Sequence, residues 1–511
     1  MKWVWCLLGS LLYRLSLPVM SSPLPEPPSS LPAIAQVFVS ARIAAMLGLG
    51  FASGLPLALS SGTLQAWLTV EGIDIKTIGI FALAGLPYTF KFVWAPLLDR
   101  FEPPFLGRRR AWLLITQLLL AAACWTMAHF DPKTSIVALG ALAVAIAFLS
   151  ASQDVVFDAY RTDLLDAHER GAGAAVSVLG YRLAMLVSGG LALILADQWL
   201  GWPGAYRLMA ALFVLMAGIT LLAPRTAVDD LRIRSDARGE LVGFVAMLAA
   251  GGIAWFVLDR LMGAMLPVKP DRFLKLAADT VTLMSAFGAA LWAARQAGFP
   301  SFTKPWDAFF MRRRALALLC LIVLYKLGDA FAGSLSTAFL IRGAGFTATE
   351  VGAVNKVLGL IATIVGALAG GALLSKISLY RALMIFGILQ AVSNFGYWLL
   401  AVSPKNDWLM AGAIGVENLC GGLGTAAFVA FLMALTDRRF SAAQYALLSA
   451  LAAVGRVYVG PASGVLVEAY GWPTFFLLTV VTALPGLGLL YWLRPEILGL
   501  DTPRSDSLEP S

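Results

Sequence analysis

Residues 135–160 read SIVALGALAVAIAFLSASQDVVFDAY. No charged residue interrupts this run before Asp154, and a helix needs about 20 mostly apolar residues to cross a bilayer. Its last turns differ, with Ser150, Ser152, Gln153, Asp154 and Asp158 clustered at one end. Asp154 and Asp158 are four apart, so they stack on one helix face. The reading is a spanning helix that carries carboxylates at one end.

The rest of the chain repeats the pattern. It has 511 residues, is 59% hydrophobic and only 13% charged, with mean hydropathy +0.80. Soluble domains carry about 25% charge, and a soluble chain this apolar would expose large sticky patches. Apolar runs lie near 40–68, 77–97, 111–130, 135–157, 172–197 and 204–223, then 241–258 and 276–294, then 315–340, 350–374, 382–402, 408–435, 442–468 and 473–493. The pattern is six, two, six, about 14 spans of an all-α polytopic membrane protein. Two similar sixes are expected of a transporter built from two structural halves. The expected divisions are an extension at 1–35, a first half at 36–224, a linker with two inserted hydrophobic helices at 225–314, a second half at 315–494 and a tail at 495–511. Residues 1–32 combine a short apolar stretch with a Pro/Ser-rich run. They are read as a disordered or interfacial extension, or as an over-called start.

Basic residues set the orientation. Arg100, Arg108, Arg109, Arg110, Arg161, Arg170, Arg225, Arg232, Arg234, Arg238, Arg312, Arg313, Arg314, Lys376, Arg381, Arg438 and Arg439 fall in alternate loops. The intervening loops of the two sixes offer only Lys76, Lys133, Arg207, Arg342 and Lys405. The excess marks the cytoplasmic side and places both termini there. The inserted pair breaks the pattern, because its connection carries Arg260, Lys269, Arg272 and Lys275. It either spans, the reading favoured, or lies at the cytoplasmic surface. The net charge of +8 is explained by these loops and implies no nucleic-acid partner.

Other chemistries find little support. Cys6, Cys124, Cys320 and Cys420 are far apart in apolar runs, without metal or disulfide spacing. His129 and His168 lie near span ends. There is no phosphate loop, metal-ligand cluster or evident nucleophile–histidine set. No metal or cofactor is expected, and an ion gradient remains as the energy source.

Charge inside a span costs about 2.5–3.5 kcal/mol on insertion scales, so such residues face a wet cavity or a partner. They are Lys91, Asp154, Asp158, Arg182, Lys326, Asp329, Lys356, Glu417 and Arg456. Arg182 or Lys91 is a counter-ion candidate for Asp154. Lys326 and Asp329 are three apart and share a face, as a fixed structural pair or a switchable one. Glu417, beside Asn418, is a proton carrier or a salt-bridge partner of Lys356 or Arg456. Desolvation disfavours a carboxylate's charged form, which makes Asp154, Asp158, Asp329 and Glu417 the proton-coupling candidates.

The turn Asp99-Arg100 through Gly107-Arg108-Arg109-Arg110 resembles a stretched form of the cytoplasmic signature of the major facilitator superfamily. That resemblance implies a gating role for Asp99, Arg100, Arg108 and Arg109. A larger likeness is to the AmpG family of muropeptide permeases. It is carried by Gly50–Leu59, Ser150–Tyr160, Gly171–Arg182, Leu324–Phe331, Glu417–Gly422 and Ala453–Pro461. It implies a major facilitator fold and proton-driven import of GlcNAc-1,6-anhydroMurNAc peptides from periplasm to cytoplasm, with links to cell-wall recycling and β-lactamase induction. It also implies a monomer in the inner membrane of a Gram-negative bacterium, and ties Asp154 and Gln153 to activity. The expected substrate contacts are Gln153, Asn355, Asn418 and, for peptide carboxylates, Lys91, Arg182, Lys326, Lys356 and Arg456. The alternative is a relative with another substrate, such as an acetyl-CoA transporter.

Overall fold

The computed structural model describes residues 40–74, 77, 81–226, 237–267, 272–347, 350–351 and 354–500. Among these residues the chain is helical, without strands. Helix is what a lipid environment demands, since every backbone N–H and C=O must be satisfied within its own segment. Among the described residues, eleven helices are long and apolar enough to cross a membrane, against about fourteen in the sequence reading. One of the eleven, Arg170–Leu222, contains two expected spans joined at Gly201, whose φ of 65° and ψ of 168° turn the chain. The expected span at 77–97 is not one rod. It is a 3-10 turn, Ala82–Gly85, then short helices Leu86–Phe90 and Ala95–Arg100 flanking a second 3-10 turn, Lys91–Val93. Pro87 and Pro96 occupy the first turns of those two helices, where a missing N–H is tolerated. A third difference lies in Ser441–Trp492, a 52-residue run kinked at Gly471 (φ 74°), of which only Ala462–Trp492 counts as a span.

The chain divides into two compact units. One holds residues 1–230 and 317–511, and the other holds 231–316. In the smaller unit, Ala237–Met265 and Arg272–Gln296 pair along their lengths, with Gly251 letting Ala290 approach. An amphipathic helix, Pro300–Phe310, follows. The Ser301 hydroxyl donates to the buried Glu240 carboxylate at 2.8 Å.

In the larger unit, two apolar clusters sit one in each half. The first gathers Leu55, Leu64, Trp67, Met127, Tyr206 and Phe213. The second gathers Phe339, Phe346, Tyr397, Ile414, Phe475 and Phe476. Contacts between the halves are made at the arginine-rich end. There Arg170–Leu186 crosses Leu360–Leu374 so closely that a Cβ on Gly371 would lie 2.6 Å from the Ala175 Cβ and 2.7 Å from the Gly171 carbonyl oxygen. Small residues at such crossings let helix backbones approach in lipid, where van der Waals packing drives association. Arg438 donates to the Leu165 carbonyl at 3.2 Å across the same boundary.

The Gly371→Val variant is expected to lose about 1–3 kcal/mol through overpacking, read as a lower thermal unfolding midpoint in detergent. An unchanged midpoint would mean that this crossing does not hold the halves together.

Candidate functional site

At the arginine-rich end, Asp99 closes the Ala95–Arg100 helix and is buried. Its carboxylate accepts from Arg109 at 2.7 Å. It also accepts from the backbone N–H groups of Ala442 (3.2 Å) and Ala443 (2.8 Å). Those donors are the first turn of Ser441–Trp492, whose positive dipole end favours an anion. Arg109 is wholly buried. Besides Asp99, it donates to Asp163 at 2.8 Å and to the Ser441 hydroxyl at 2.5 Å. One guanidinium therefore ties three segments of the first half to a helix start in the second. Arg108 donates to the Asp99 backbone carbonyl at 2.8 Å. Arg100, expected in the same role, has its guanidinium 5.7 Å from the Phe101 ring centre. Asp163 and Ser441 were not among the expected residues. The only sequence signal for Asp163 was its place at the end of an acidic run beginning at Asp154.

A second cross-half contact lies alongside. Arg161 donates to the Tyr445 hydroxyl at 2.6 Å, packs over that ring at 5.4 Å, and pairs with Asp158 at 2.8 Å. Asp158 also faces Lys91 at 3.6 Å. Lys91 sits where the broken 81–100 segment passes from helix to 3-10 turn. Lys91, Asp158 and Arg161 are also the charges that act on Asp154, whose carboxylate accepts from the Ser53 hydroxyl. Arg182, the other expected counter-ion, is half-buried and takes no part in these pairs. Gln153 is fully buried, and neither amide atom has a hydrogen-bond partner. Tyr88 and Tyr181 face Asp154 from neighbouring helices.

The second half holds its own cluster. Its first span breaks at Lys326, between Ala315–Tyr325 and Leu327–Ala338. Lys326 faces Asp329 at 3.6 Å and the Phe428 ring at 5.8 Å. Glu417 accepts from the Asn418 amide at 2.9 Å, and Thr363 donates to the Asn418 carbonyl oxygen at 3.0 Å. Asp329 and Lys326 are the charges facing Glu417. The structure thus brings Lys326, Asp329, Glu417 and Asn418 together, and separately Lys91, Asp154 and Asp158. Among the described residues, each group closes its ion pairs within its own half. The side chains of Asn355, Lys356 and Arg456 lie outside the described residues.

A helical membrane chain with two apolar clusters, joined at one end and carrying charged groups within its helices, has the build of a membrane transporter. The sequence model of the Major Facilitator Superfamily matches residues 43–355. The anhydromuropeptide permease of Escherichia coli K12 is 54% identical over 462 residues, 90% of this chain and 82% of that protein. A putative transporter AmpG 4 of Rickettsia felis is 31% identical, covering 91% and 99%. Among solved structures, FucP in the outward conformation aligns with a TM-score of 0.57 at 14% identity, covering 89% of this chain and 99% of that one. The proton:xylose symporter XylE aligns with a TM-score of 0.57 at 12% identity, covering 91% and 98%. The chain belongs to the major facilitator superfamily and, within it, to the family of the anhydromuropeptide permeases.

Replacing Arg109 with Ala leaves Asp99 and Asp163 buried without their cation. Breaking a buried pair this way costs about 3–5 kcal/mol, so the thermal midpoint of Arg109→Ala should fall steeply. The added change Asp163→Asn should recover part of the loss. An additive double variant would mean that the two side chains act independently.

Proposed function

We propose that this chain imports GlcNAc-1,6-anhydroMurNAc peptides from periplasm to cytoplasm, driven by the proton gradient, in the inner membrane of a Gram-negative bacterium. The observation that carries the substrate is the 54% identity across 90% of the chain to a protein named for anhydromuropeptide transport. The imported peptides would feed cell-wall recycling and signal β-lactamase induction. In this reading the halves are 36–224 and 315–494, the linker pair in 225–314 crosses the bilayer, and both termini lie on the cytoplasmic side. The protein acts as a monomer.

Charge arithmetic supports the coupling. In the first half, Lys91 and Arg161 oppose Asp154 and Asp158, a formally neutral set. Among the described side chains of the second, Lys326 opposes Asp329 and Glu417, leaving one excess negative charge within that set. A proton on Asp154 gives the first set a positive charge, and one on Glu417 cancels the excess in the second. The cavity then attracts the carboxylates of a peptide stem, and substrate binding in turn favours the protonated carrier. An uncompensated charge in a low-dielectric cavity is costly, so the protonated, unloaded carrier is disfavoured. Peptide carboxylates meet Lys326, together with Lys356, Arg456 and Arg182. Sugar hydroxyls and amides meet Asn418 and Asn355.

The arginine-rich end faces the cytoplasm by the excess of basic loops. With the halves joined there through Asp99, Arg109, Ser441 and the Gly171–Gly371 crossing, the state described is open to the periplasm. Inward rocking must break the Asp99 bonds to the Ser441–Trp492 helix.

Uptake of labelled anhydro-muropeptide into right-side-out and inside-out vesicles tests the proposal. Uptake should rise with an imposed proton gradient and be blocked by unlabelled anhydro-muropeptide but not by acetyl-CoA. A rate indifferent to the gradient would remove the coupling. Asp154→Asn should abolish accumulation against a gradient, and full coupled uptake by that variant would remove Asp154 from the proton path.

A further inference from the structure

The smaller unit, residues 231–316, carries none of the charge clusters described above. Its own distinctive chemistry collects in the segment 297–314. That segment joins two helices long and apolar enough to cross a membrane, Ala277–Gln296 and Ala315–Gly343. Between them lies the amphipathic helix Pro300–Phe310.

The two sides of this helix differ. Ser301, Phe302, Pro305 and Phe309 are buried, a spacing that forms one stripe along a helix. Contacts with both hairpin helices fix its position. At its start, a Cβ on Gly243 would lie 2.6 Å from the Phe299 Cβ, and the Phe299 ring meets Phe244 edge-on at 6.1 Å. The Ser301 hydroxyl donates to Glu240 at 2.8 Å. Further along, the Trp306 and Phe287 rings lie 5.2 Å apart, and Arg295 donates to Asp307 at 3.0 Å. The other side is exposed. Lys304 and Arg313 are exposed cations, while Phe310 is 44% and Met311 88% exposed. Phe310 stacks on Trp306 at 5.9 Å, and the Arg312 guanidinium lies 5.5 Å from the Phe309 ring centre. From Arg295 to Arg314 there are five basic residues and one acid, Asp307, which is already paired with Arg295.

A partner for this surface must offer negative charge and an apolar body together. A free phosphate or a nucleotide lacks the apolar body, and an apolar peptide lacks the charge. An anionic phospholipid has both, with its phosphate directly above its acyl chains. Helices of this build lie in the interface, with apolar side chains at the boundary between headgroups and acyl chains and Lys or Arg drawn to anionic lipid. Tryptophan favours the same level. The segment is also tethered there, because Arg314 runs directly into Ala315–Gly343 whether the hairpin crosses the bilayer or lies flat.

We propose that Lys304 and Arg312–Arg314 bind the headgroup phosphates of anionic phospholipid, with Phe310 and Met311 seated among the upper acyl carbons. The bound lipid fixes the linker helix to the leaflet that it borders. This binding requires neither the substrate nor the proton coupling proposed above.

The test uses the purified full chain in detergent, a photoactivatable labelled phosphatidylglycerol and mapping of the crosslinked peptides. Label should fall within 297–316. Unlabelled phosphatidylglycerol should compete, whereas phosphatidylcholine and inorganic phosphate should not, and added salt should weaken the labelling. The double variant Lys304→Gln, Arg313→Gln should bind phosphatidylglycerol about tenfold or more weakly, the combined scale for two cations at an anionic surface. Lys304→Arg with Arg313→Lys keeps both charges and should keep the affinity. Met311→Ser should weaken labelling with every charge intact. Should the double variant fail to fold, Arg313→Gln alone carries the same readout with a smaller loss. Equal competition by phosphatidylcholine would mean an apolar contact without charge selection and overturn the proposal. Competition by inorganic phosphate would mean a site for soluble anions and overturn it too. Label confined to other peptides, or unchanged labelling in the charge-removing variants, would show that this segment is not the lipid site.

Discussion

A charge buried away from water must be matched within the protein, because no water is at hand to do it. That constraint organises this molecule. Arg109 is the clearest instance, a guanidinium without exposed surface whose two carboxylate partners come from different segments. Remove the need to satisfy it, and the helix ends around Asp99, Asp163 and Ser441 have little reason to converge. The same rule operates at Lys91, which meets Asp158, and at Lys326, which meets Asp329. Both lysines sit at breaks in their helices. A break frees backbone groups and bends the chain, and in membrane proteins such irregular backbone is tolerated where it lies within protein or lines a cavity.

The halves are joined by contacts of modest individual strength. A carboxylate on two backbone N–H groups, an arginine on a tyrosine hydroxyl and a glycine crossing all lie at one end. The apolar clusters, by contrast, are internal to each half. That division suits rigid halves hinged on a breakable latch, since hydrogen bonds can be exchanged for water at a membrane surface whereas packed aromatic cores resist rearrangement.

Much of this was legible in the chain. The run 135–160 announces a spanning helix with carboxylates at its end, and the structure has one at Ile136–Leu164. Lys326 and Asp329 read as a pair from their spacing, and they are one. Other features were not legible. Arg100 and Arg109 look alike in sequence, yet one lies over a phenylalanine ring and the other is the centre of the latch. Gln153, read as a ligand contact, is buried with neither amide atom partnered, which its sequence position does not show. Nothing in the spacing showed that Asp99 would cap a helix more than three hundred residues away.

The difference has a physical origin. Hydropathy, loop charge and helical spacing depend on residues close together in the chain, so the sequence by itself determined the all-helical membrane class and the short list of charges that needed partners. Which partner each charge took depends on how helices rotate about their axes and cross one another. Those angles are decided by packing between segments distant in sequence, such as the Gly171–Gly371 approach. Only the tertiary structure could therefore say that Arg109 joins Asp99 and Asp163 to Ser441 at one end of the chain.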